Sequence, residues 1–216
     1  MGEIILSILT PAVPSRLTGN ASGSLAALCL ELGHQIGGAP VEHLVFLDNK
    51  KRTVGEKRDA LLRMARGAYV AFVDDDDWVS ENYVSSILAA TISITNQHPD
   101  VITFLQHATV NGMVGRIEFK LGNPNENFTG IEWDTYSNCP VHIPATIPTI
   151  KRNAWHICAW RRSLAIQSQF PASNYGEDWA FASRLCAIPN LREVHIPQVL
   201  HFYRHNSKTT EAPPPA

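Results

Sequence analysis

The sequence predicts an α/β fold in which a mostly parallel sheet is flanked by helices. Over the first hundred residues, short apolar runs alternate with helical patterns in the order strand-helix-strand-helix-strand-helix. This alternation is typical of a parallel sheet covered by helices. The third apolar run, residues 69–73, ends in four consecutive aspartates at positions 74–77. In open α/β sheets, ligands bind at the carboxyl ends of the strands, so these carboxylates mark the expected site.

The composition is that of one globular domain. The chain has 216 residues, of which 44% are hydrophobic and 18% charged, with a formal net charge of -2. We expect a single domain over residues 1–210, with a nucleotide-binding half at about 1–100, an acceptor half at about 101–210 and a disordered tail at 211–216. The near-neutral charge disfavours a dedicated nucleic-acid binder, which usually carries a basic excess.

Cysteine use and hydropathy predict a cytoplasmic protein without stable membrane insertion. The cysteines are far apart and form no CxxC pair: Cys29, Cys139, Cys158 and Cys186. We interpret them as reduced thiols, most of them buried. The start of the chain has no signal-peptide pattern, and no apolar run approaches the ~20 residues of a membrane span.

The first two strands and the helix between them are predicted from periodicity and breakers. Residues 4–9 form an apolar run that Pro11 and Pro14 are expected to end. A helix follows, ended by Gly37 and Gly38, with apolar residues at helical spacing: Leu25, Leu28, Leu32 and Ile36. Residues 41–47 form the second strand, which leads into Asp48.

A second helix is predicted over about residues 56–66, with Gly67 as its C′ residue. Arg58 lies three residues before Leu61, so we expect it to point toward the core and to meet a ligand or a buried partner. Lys57 is expected on a solvated face. After the acidic segment, Ser80 is expected to cap the next helix.

The crossovers of such a fold place all parallel strand ends at one edge of the sheet. Pro11, Asp48 and Asp74 each follow a strand. We therefore expect these three residues to line a common crevice.

The second half begins with a predicted hairpin, residues 101–107 and 116–121, turning at Asn111-Gly112. Residues 123–148 have little periodicity, and a loop of this length is usually functional or mobile. Its aromatic side chains serve either as acceptor contacts or as anchors of the loop: Phe128, Trp133 and Tyr136.

The last third contains acidic residues at a helix start and two histidines on a terminal strand. Glu177 and Asp178 begin a helix, where capping and the helix dipole alone favour carboxylates. Two strands are predicted at about 193–196 and 199–203. His201 and His205 share one face of this terminal segment. Each has either a structural role or that of a metal ligand.

The aspartates at 74–77 have two interpretations. Hard divalent ions such as Mg²⁺ and Mn²⁺ bind carboxylates together with substrate phosphates, which favours a metal site. Acidic runs are otherwise usually solvated turns. Their place directly after a buried strand favours the first interpretation.

The order of the motifs resembles the family 2 glycosyltransferases, which have the GT-A fold. The motifs are SILTP, a strand ending in Asp48, GEKRDALLRMARG, AYVAFVDDDDWV, GEDWAFASRL and FYRHNS. The chain departs from the family pattern at Asp59, where asparagine is usual, and in TPAVPSR, which lacks an aromatic-asparagine pair. The resemblance implies a nucleotide-sugar donor, with a UDP-sugar as the expected one, a Mn²⁺ or Mg²⁺ cofactor and an inverting transfer to an acceptor hydroxyl.

The resemblance also implies roles for individual residues. Asp178 would be the general base. The metal would be held by Asp76 and a terminal histidine, taken as His205 with His201 as the fallback. The donor nucleotide sugar would contact Pro11 and Asp48 at its base, Asp74 at its ribose, and also Arg58, Asp75 and Glu177.

Other functions and several acceptors stay open at this point. A GT-A module that binds a nucleotide sugar or glycan without turnover would share these motifs. A nucleotidyltransferase also uses metal-bound carboxylates, but it more often has a Gly-rich phosphate loop after the first strand. The acceptor is a glycan precursor, a protein, a metabolite or a modified DNA base.

Overall fold

The predicted α/β architecture is confirmed. A computed structural model describes residues 2–18, 24–92, 98–132 and 147–205. The strands are β1 (Leu6–Ala12), β2 (Val41–Leu47), β3 (Tyr69–Phe72), β4 (Trp78–Val79), β5 (Val101–Val110), β6 (Met113–Phe119), β7 (Ile131–Glu132), β8 (Thr149–Arg152), β9 (Ala159–Arg161) and β10 (Glu193–His205). The helices are α1 (Leu25–Ile36), α2 (Val54–Met64), α3 (Tyr83–Thr91), α4 (Arg162–Ser168) and α5 (Glu177–Cys186).

The described strands form one mixed sheet in the order β2-β1-β3-β9-β5-β10-β4. β2, β1 and β3 are parallel, as are β5 and β10, while β9 runs antiparallel between β3 and β5. β6 pairs with β5 and carries β7 and β8 on its other edge. The acidic segment lies between β3 and β4, and β4 pairs with β10. The terminal strand is therefore brought beside the acidic segment.

The core lies between this sheet and the apolar faces of the helices. α1 buries Leu25, Leu28 and Leu32, begins at the N-cap Ser24 and ends at Gly37 in the left-handed conformation. The largest fully buried side chains come from elements along the whole chain: Trp160, Tyr83, Phe72, Phe104, Phe119 and Phe181. Burial of such large apolar groups is the main source of stability in this fold.

The end of β1 differs from the prediction, because the strand passes through Pro11 and ends at Ala12. The amide of Val73 donates to the carbonyl of Leu9, and the amide of Asp48 donates to that of Ala12. Alternate residues of β1 therefore face β3 and β2, and Pro11 faces the β3 side. β3 pairs with β1 only as far as Leu9. The missing N–H of Pro11 thus falls where no partner strand remains.

Two helix termini also differ from the prediction. α2 begins at Val54 after a capping box between Thr53 and Glu56, and Gly67 lies beyond its end. A Cβ on Gly67 would lie 2.6 Å from the amide nitrogen of Ser7, so this glycine permits close packing against β1. Ser80 is not the N-cap of α3. That position belongs to Asn82, whose Oδ1 accepts a hydrogen bond from the Ser80 hydroxyl.

The predicted hairpin is confirmed, with β5 and β6 joined by Asn111 and Gly112, both at positive φ. The two terminal strands predicted at 193–196 and 199–203 are one strand, β10. Its pairing with β5 shifts in register between Ile196 and Val199 and again between Val199 and His201. A bulge of this kind interrupts the pattern of a strand without ending its pairing.

None of the helices in the described ranges has the length and hydropathy needed to cross a bilayer. The single domain over residues 1–210 and its division near residue 100 stay predictions. The predicted tail at 211–216 lies outside the described residues.

Candidate active site

The four aspartates after β3 form a tight acidic turn. The amide of Asp77 donates to the carbonyl of Asp74 at 3.1 Å. Asp75 and Asp77 are each only 3% exposed, while the side chains of Asp74 and Asp76 retain 29% and 30% exposure. Buried carboxylates require cations or hydrogen-bond donors. The neighbours of this turn therefore determine what it can bind.

Arg58 joins the acidic turn to the start of α5. Its Nη2 donates to both carboxylate oxygens of Asp74 at 2.9 and 2.8 Å, and its Nη1 donates to Oε1 of Glu177 at 2.5 Å. Arg58 itself is 3% exposed, so its predicted inward orientation is confirmed. Burial acts to raise the pKa of Asp74, but the charge and hydrogen bonds of Arg58 lower it overall. For Glu177, burial outweighs Arg58 and raises the pKa.

Arg16 is a second cation of the site and was not among the predicted residues. It ends a short 3-10 turn, Pro14–Arg16, directly after β1. Its Nη1 lies 2.7 Å from Oδ1 of Asp75 and 2.8 Å from Oδ2 of Asp76. The amide of Val13 donates to the other oxygen of Asp75 at 2.9 Å. Burial raises the pKa of Asp76 to about 6, although the charge of Arg16 opposes this shift.

Lys57 also belongs to the site, so its assignment to a solvated face was wrong. The residue is 3% exposed. Its Nζ donates to the carbonyl of Ala12 at 3.1 Å and lies 3.4 Å from Oδ1 of Asp48. Lys57 thereby ties the end of β1 to the end of β2. Pro11 lies on β1 opposite Phe46 of β2, so the structure brings the ends of these strands together as expected.

Asp178 lies in the first turn of α5, half-buried, beside Glu177. Gly176 in the left-handed conformation precedes the helix, and the carboxylate of Asp178 accepts a hydrogen bond from the amide of Trp179 at 2.7 Å. The charge of Asp178 raises the pKa of Arg58, so the two groups lie within electrostatic reach. Carboxylates of this kind are among the side chains that can accept a proton from a nucleophile.

His156 is a further buried group between the acidic turn and α5. It is 6% exposed and its ring packs near those of Phe72 and Trp155. Burial lowers its pKa to about 4, with Asp178 and Asp74 acting in the opposite direction. The imidazole is therefore neutral at pH 7. No motif at position 156 marks this residue in the sequence.

The two terminal histidines occupy different places along β10. His201 is fully buried, with Nε2 3.4 Å from Oδ2 of Asp77 and Nδ1 3.0 Å from Nε2 of Gln106. The Gln106 amide donates to Nδ1, which places the ring proton on the nitrogen that faces Asp77. His205 stacks on Tyr203, whose pKa is raised to about 12 by burial and by the charges of Asp77, Asp76 and Asp74. The structure therefore places His201 beside Asp77, and the end of β10 that carries His205 also lies near the acidic turn.

A cavity of about 200 Å³ is lined in part by Trp179, the residue that follows Asp178 in α5. Its lining combines two indoles with amide and charged groups: Asn125, Glu126, Asn127, Arg152, Trp155 and Trp179. Trp179 is 58% exposed. Aromatic faces with hydrogen-bonding groups at their edges form a common type of ligand site.

The loop aromatics do not line this cavity in the described part of the chain. Phe128 packs against the core, and its ring would contact a Cβ placed on Gly115. Phe128 therefore acts as an anchor of the loop. Trp133 and Tyr136 lie outside the described residues.

The acidic turn fits a divalent cation that is shared with a ligand. Within the described ranges, no group of three or more histidine, cysteine or acidic side chains is arranged to hold a metal by itself. One oxygen of Asp77, Oδ1, is buried without a partner in those ranges. Mg²⁺ and Mn²⁺ in nucleotide sites typically use one or two carboxylates plus phosphates. Asp76 is more exposed than its neighbours Asp75 and Asp77, so its carboxylate is accessible to such an ion.

Comparison with known proteins agrees with this geometry. The profile described as glycosyl transferase family 2 matches residues 41–149, just over half of the chain. The chain belongs to glycosyl transferase family 2. The matched region includes α2 with Arg58 and the acidic turn after β3. No curated protein matches the sequence at a significant level.

Solved structures of S. aureus TarS have a similar fold. TarS 1-349 in complex with UDP-GlcNAc has a TM-score of 0.58 at 14% identity, covering 96% of this chain and 62% of TarS. TarS 1-349 in complex with UDP has a TM-score of 0.56 at 15% identity, covering 93% and 60%. This chain thus spans less than two thirds of those TarS chains. The predicted GT-A fold and the resemblance to this family are confirmed.

Proposed function

We propose that this family 2 chain is a metal-dependent, inverting glycosyltransferase that moves a sugar from a UDP-sugar to an acceptor hydroxyl. The observation that carries the proposal is the arrangement around Arg58. This side chain binds Asp74 at the end of β3 and Glu177 at the start of α5. It thereby holds the acidic turn and Asp178 at one crevice, where donor and base must meet.

The donor nucleotide would lie along the ends of β1, β2 and β3. Pro11 and Asp48 border the base, and Lys57 fixes Asp48 by its ion pair. Asp74 faces the ribose, with Asp75 and Glu177 adjoining the donor. The choice of a UDP-sugar is supported by the TarS structures, which share the fold and contain UDP or UDP-GlcNAc.

Asp76 is the residue proposed to hold Mn²⁺ or Mg²⁺ together with the donor diphosphate. The cation, when bound, supplies Lewis-acid stabilisation of the charge that develops on the leaving diphosphate. His205 is the further ligand proposed, since it stacks on Tyr203, which lies within electrostatic reach of Asp76 and Asp77. The proposed metal site therefore consists of Asp76, His205 and the donor phosphates.

Asp178 is the proposed general base. An acceptor hydroxyl is a weak nucleophile, and a carboxylate that takes its proton as it attacks raises its reactivity. The cavity lined by Trp179 is the proposed acceptor entrance, because Trp179 follows Asp178 directly. In a single displacement the base and the leaving group lie on opposite sides of the sugar carbon. Asp178 in α5 and the acidic turn after β3 belong to separate elements, which suits this division of roles.

Calorimetric titration of UDP and GDP, with and without Mn²⁺, tests the donor and metal assignments. We expect UDP to bind in the presence of Mn²⁺, and Asp76→Ala to weaken that binding by roughly tenfold or more. Glu81→Gln, a change at an exposed carboxylate, is the matched control and should bind as the wild type does. Failure of the wild-type chain to bind either nucleotide would contradict the proposal.

Release of UDP from UDP-sugars distinguishes an enzyme from a binding module. The wild-type chain should hydrolyse one UDP-sugar slowly in the absence of acceptor, as measured by a coupled UDP assay. A chain that binds UDP with Mn²⁺ but never releases it from any UDP-hexose or UDP-N-acetylhexosamine would instead be a non-catalytic module.

A further inference from the structure

Arg16 occupies the place of a cation in the acidic turn. A single nitrogen, Nη1, lies within 2.8 Å of both Asp75 and Asp76. These are two adjacent carboxylates, and Asp76 is the one proposed to hold the metal. A divalent ion bound to Asp76 would lie within a few ångströms of the guanidinium. Two positive charges at such a distance repel strongly at a partly buried site.

The charge of the cluster shows why a cation is needed there. Five carboxylates meet at the site: Asp74, Asp75, Asp76, Asp77 and Glu177. Arg58 and Arg16 supply positive charge to these carboxylates. His201 lies beside Asp77 but supplies none, because burial lowers its pKa to about 3 and keeps the ring neutral. A nucleoside diphosphate that approaches this cluster adds further negative charge. It therefore needs a cation of its own or a guanidinium that turns toward it.

The position of Arg16 allows such a turn. The short helix Pro14–Arg16 buries none of its residues, and the Arg16 side chain is 27% exposed. The side chain can leave Asp76 without disrupting the core. Asp75 would keep its hydrogen bond from the amide of Val13. Arginine also binds phosphate well, because its planar fork matches the oxygen geometry.

We propose that Arg16 competes with the divalent cation for Asp76 and moves to the donor diphosphate when metal and nucleotide bind together. This inference rests on the proposed function, since it assigns a further donor-binding residue to the same site. Its consequence is that metal binds weakly without nucleotide. The bound guanidinium must be displaced, and the diphosphate offers it a new partner.

Manganese titration of the full chain, followed by the electron paramagnetic resonance signal of free Mn²⁺ at pH 7.5, tests the competition directly. Without nucleotide, Arg16→Gln should bind Mn²⁺ at least roughly tenfold more tightly than the wild type, because a positive charge has left the site. Arg63→Gln removes an exposed arginine paired with Asp59 and should leave Mn²⁺ binding unchanged. The double variant Arg16→Gln/Asp76→Asn should lose the gain, which locates the ion at Asp76.

Calorimetric titration of UDP at saturating Mn²⁺ tests the second half of the inference. Arg16→Gln should bind UDP roughly tenfold more weakly than the wild type, since a charged phosphate contact is missing. Arg16→Lys keeps the charge but not the fork, and should lie between the two proteins in both titrations. It also serves as the test variant if Arg16→Gln fails to fold.

The outcomes separate this inference from the proposed function. Equal Mn²⁺ affinity of wild type and Arg16→Gln within twofold, or no Mn²⁺ binding by either, overturns the competition. Equal UDP affinity at saturating Mn²⁺ overturns the move to the diphosphate. If neither protein binds UDP, both the proposed donor site and that move fail, while the Mn²⁺ comparison still decides whether Arg16 competes with the ion.

Discussion

Replacement of Arg58 by methionine should destabilise the protein strongly at neutral pH. The change keeps much of the side-chain volume but leaves two carboxylates, Asp74 and Glu177, without their shared cation. Removing one partner of a buried ion pair costs about 3–5 kcal/mol. The Glu177 side chain is only 6% exposed, so its unpaired charge carries the full cost of burial. The Asp74 side chain is 29% exposed, so water offsets part of that cost. We therefore expect a loss of about 3 kcal/mol, at the lower end of that range.

The loss should depend on pH in a defined direction. In the wild type the pKa of Asp74 is lowered, so the stability from its pairing is present at neutral pH and is lost as the pH falls through the lowered pKa. Without Arg58, burial is the largest influence on Asp74 and Glu177 and raises the pKa of both. Their folded forms then bind protons more readily than the unfolded chain does. The difference between wild type and variant is thus greatest near pH 7 and shrinks toward pH 4.

Urea denaturation at pH 7 and pH 4.5, followed by tryptophan fluorescence, measures both effects. With a denaturant slope of about 3 kcal/mol/M, the expected loss shifts the midpoint by about 1 M at pH 7. Arg63→Met removes an exposed ion pair one turn along the same helix, and should cost at most about 0.5 kcal/mol. A variant at Arg58 as stable as this control, or a loss that is the same at both pH values, would refute the reasoning.

Two further changes test the site, and a third, with its own control, tests the packing of α2. Asp178→Asn should keep UDP affinity but slow sugar transfer by on the order of 10²-fold, and normal transfer would exclude Asp178 as the base. Trp179→Ala should raise the acceptor KM by roughly tenfold while UDP release without acceptor stays unchanged; an unchanged KM would remove the cavity from the acceptor site. Gly55→Ala should cost at least about 1–3 kcal/mol in urea denaturation, because its Cβ would lie 1.9 Å from the carbonyl oxygen of Pro171. Gly33→Ala, with no atom near its Cβ, should instead be neutral or stabilising.

The sheet and the grouping of the strand ends could be predicted from the sequence because both follow from local patterns. The pattern of apolar runs and breakers predicted β2 with the bounds that the structure has, Val41–Leu47. Helical spacing predicted that Arg58 points inward, and the structure supplies Asp74 and Glu177 as its partners. These predictions rest on the spacing of apolar residues in helices and strands, and on the rule that parallel strands end at one edge of the sheet.

The remaining features depend on contacts between distant segments, which no local pattern contains. Lys57 is buried because the end of β1 offers it a carbonyl oxygen and the end of β2 a carboxylate. Arg16 reaches Asp75 across 59 positions of sequence. The burial of His201 beside Asp77 depends on the pairing of β10 with β4, in which His201 lies opposite Val79.

The contact between Arg58 and Glu177 spans 119 positions of sequence, whereas that between Arg58 and Asp74 spans 16. The short loop closes at a small entropic cost, and the long one closes only when most of the chain has already been ordered. The acidic turn can therefore acquire its cation early in folding, while the junction with α5 forms late. Charge neutralisation thus precedes completion of the crevice, and a nascent chain without its last third would have Arg58 and the acidic turn but neither Glu177 nor Asp178.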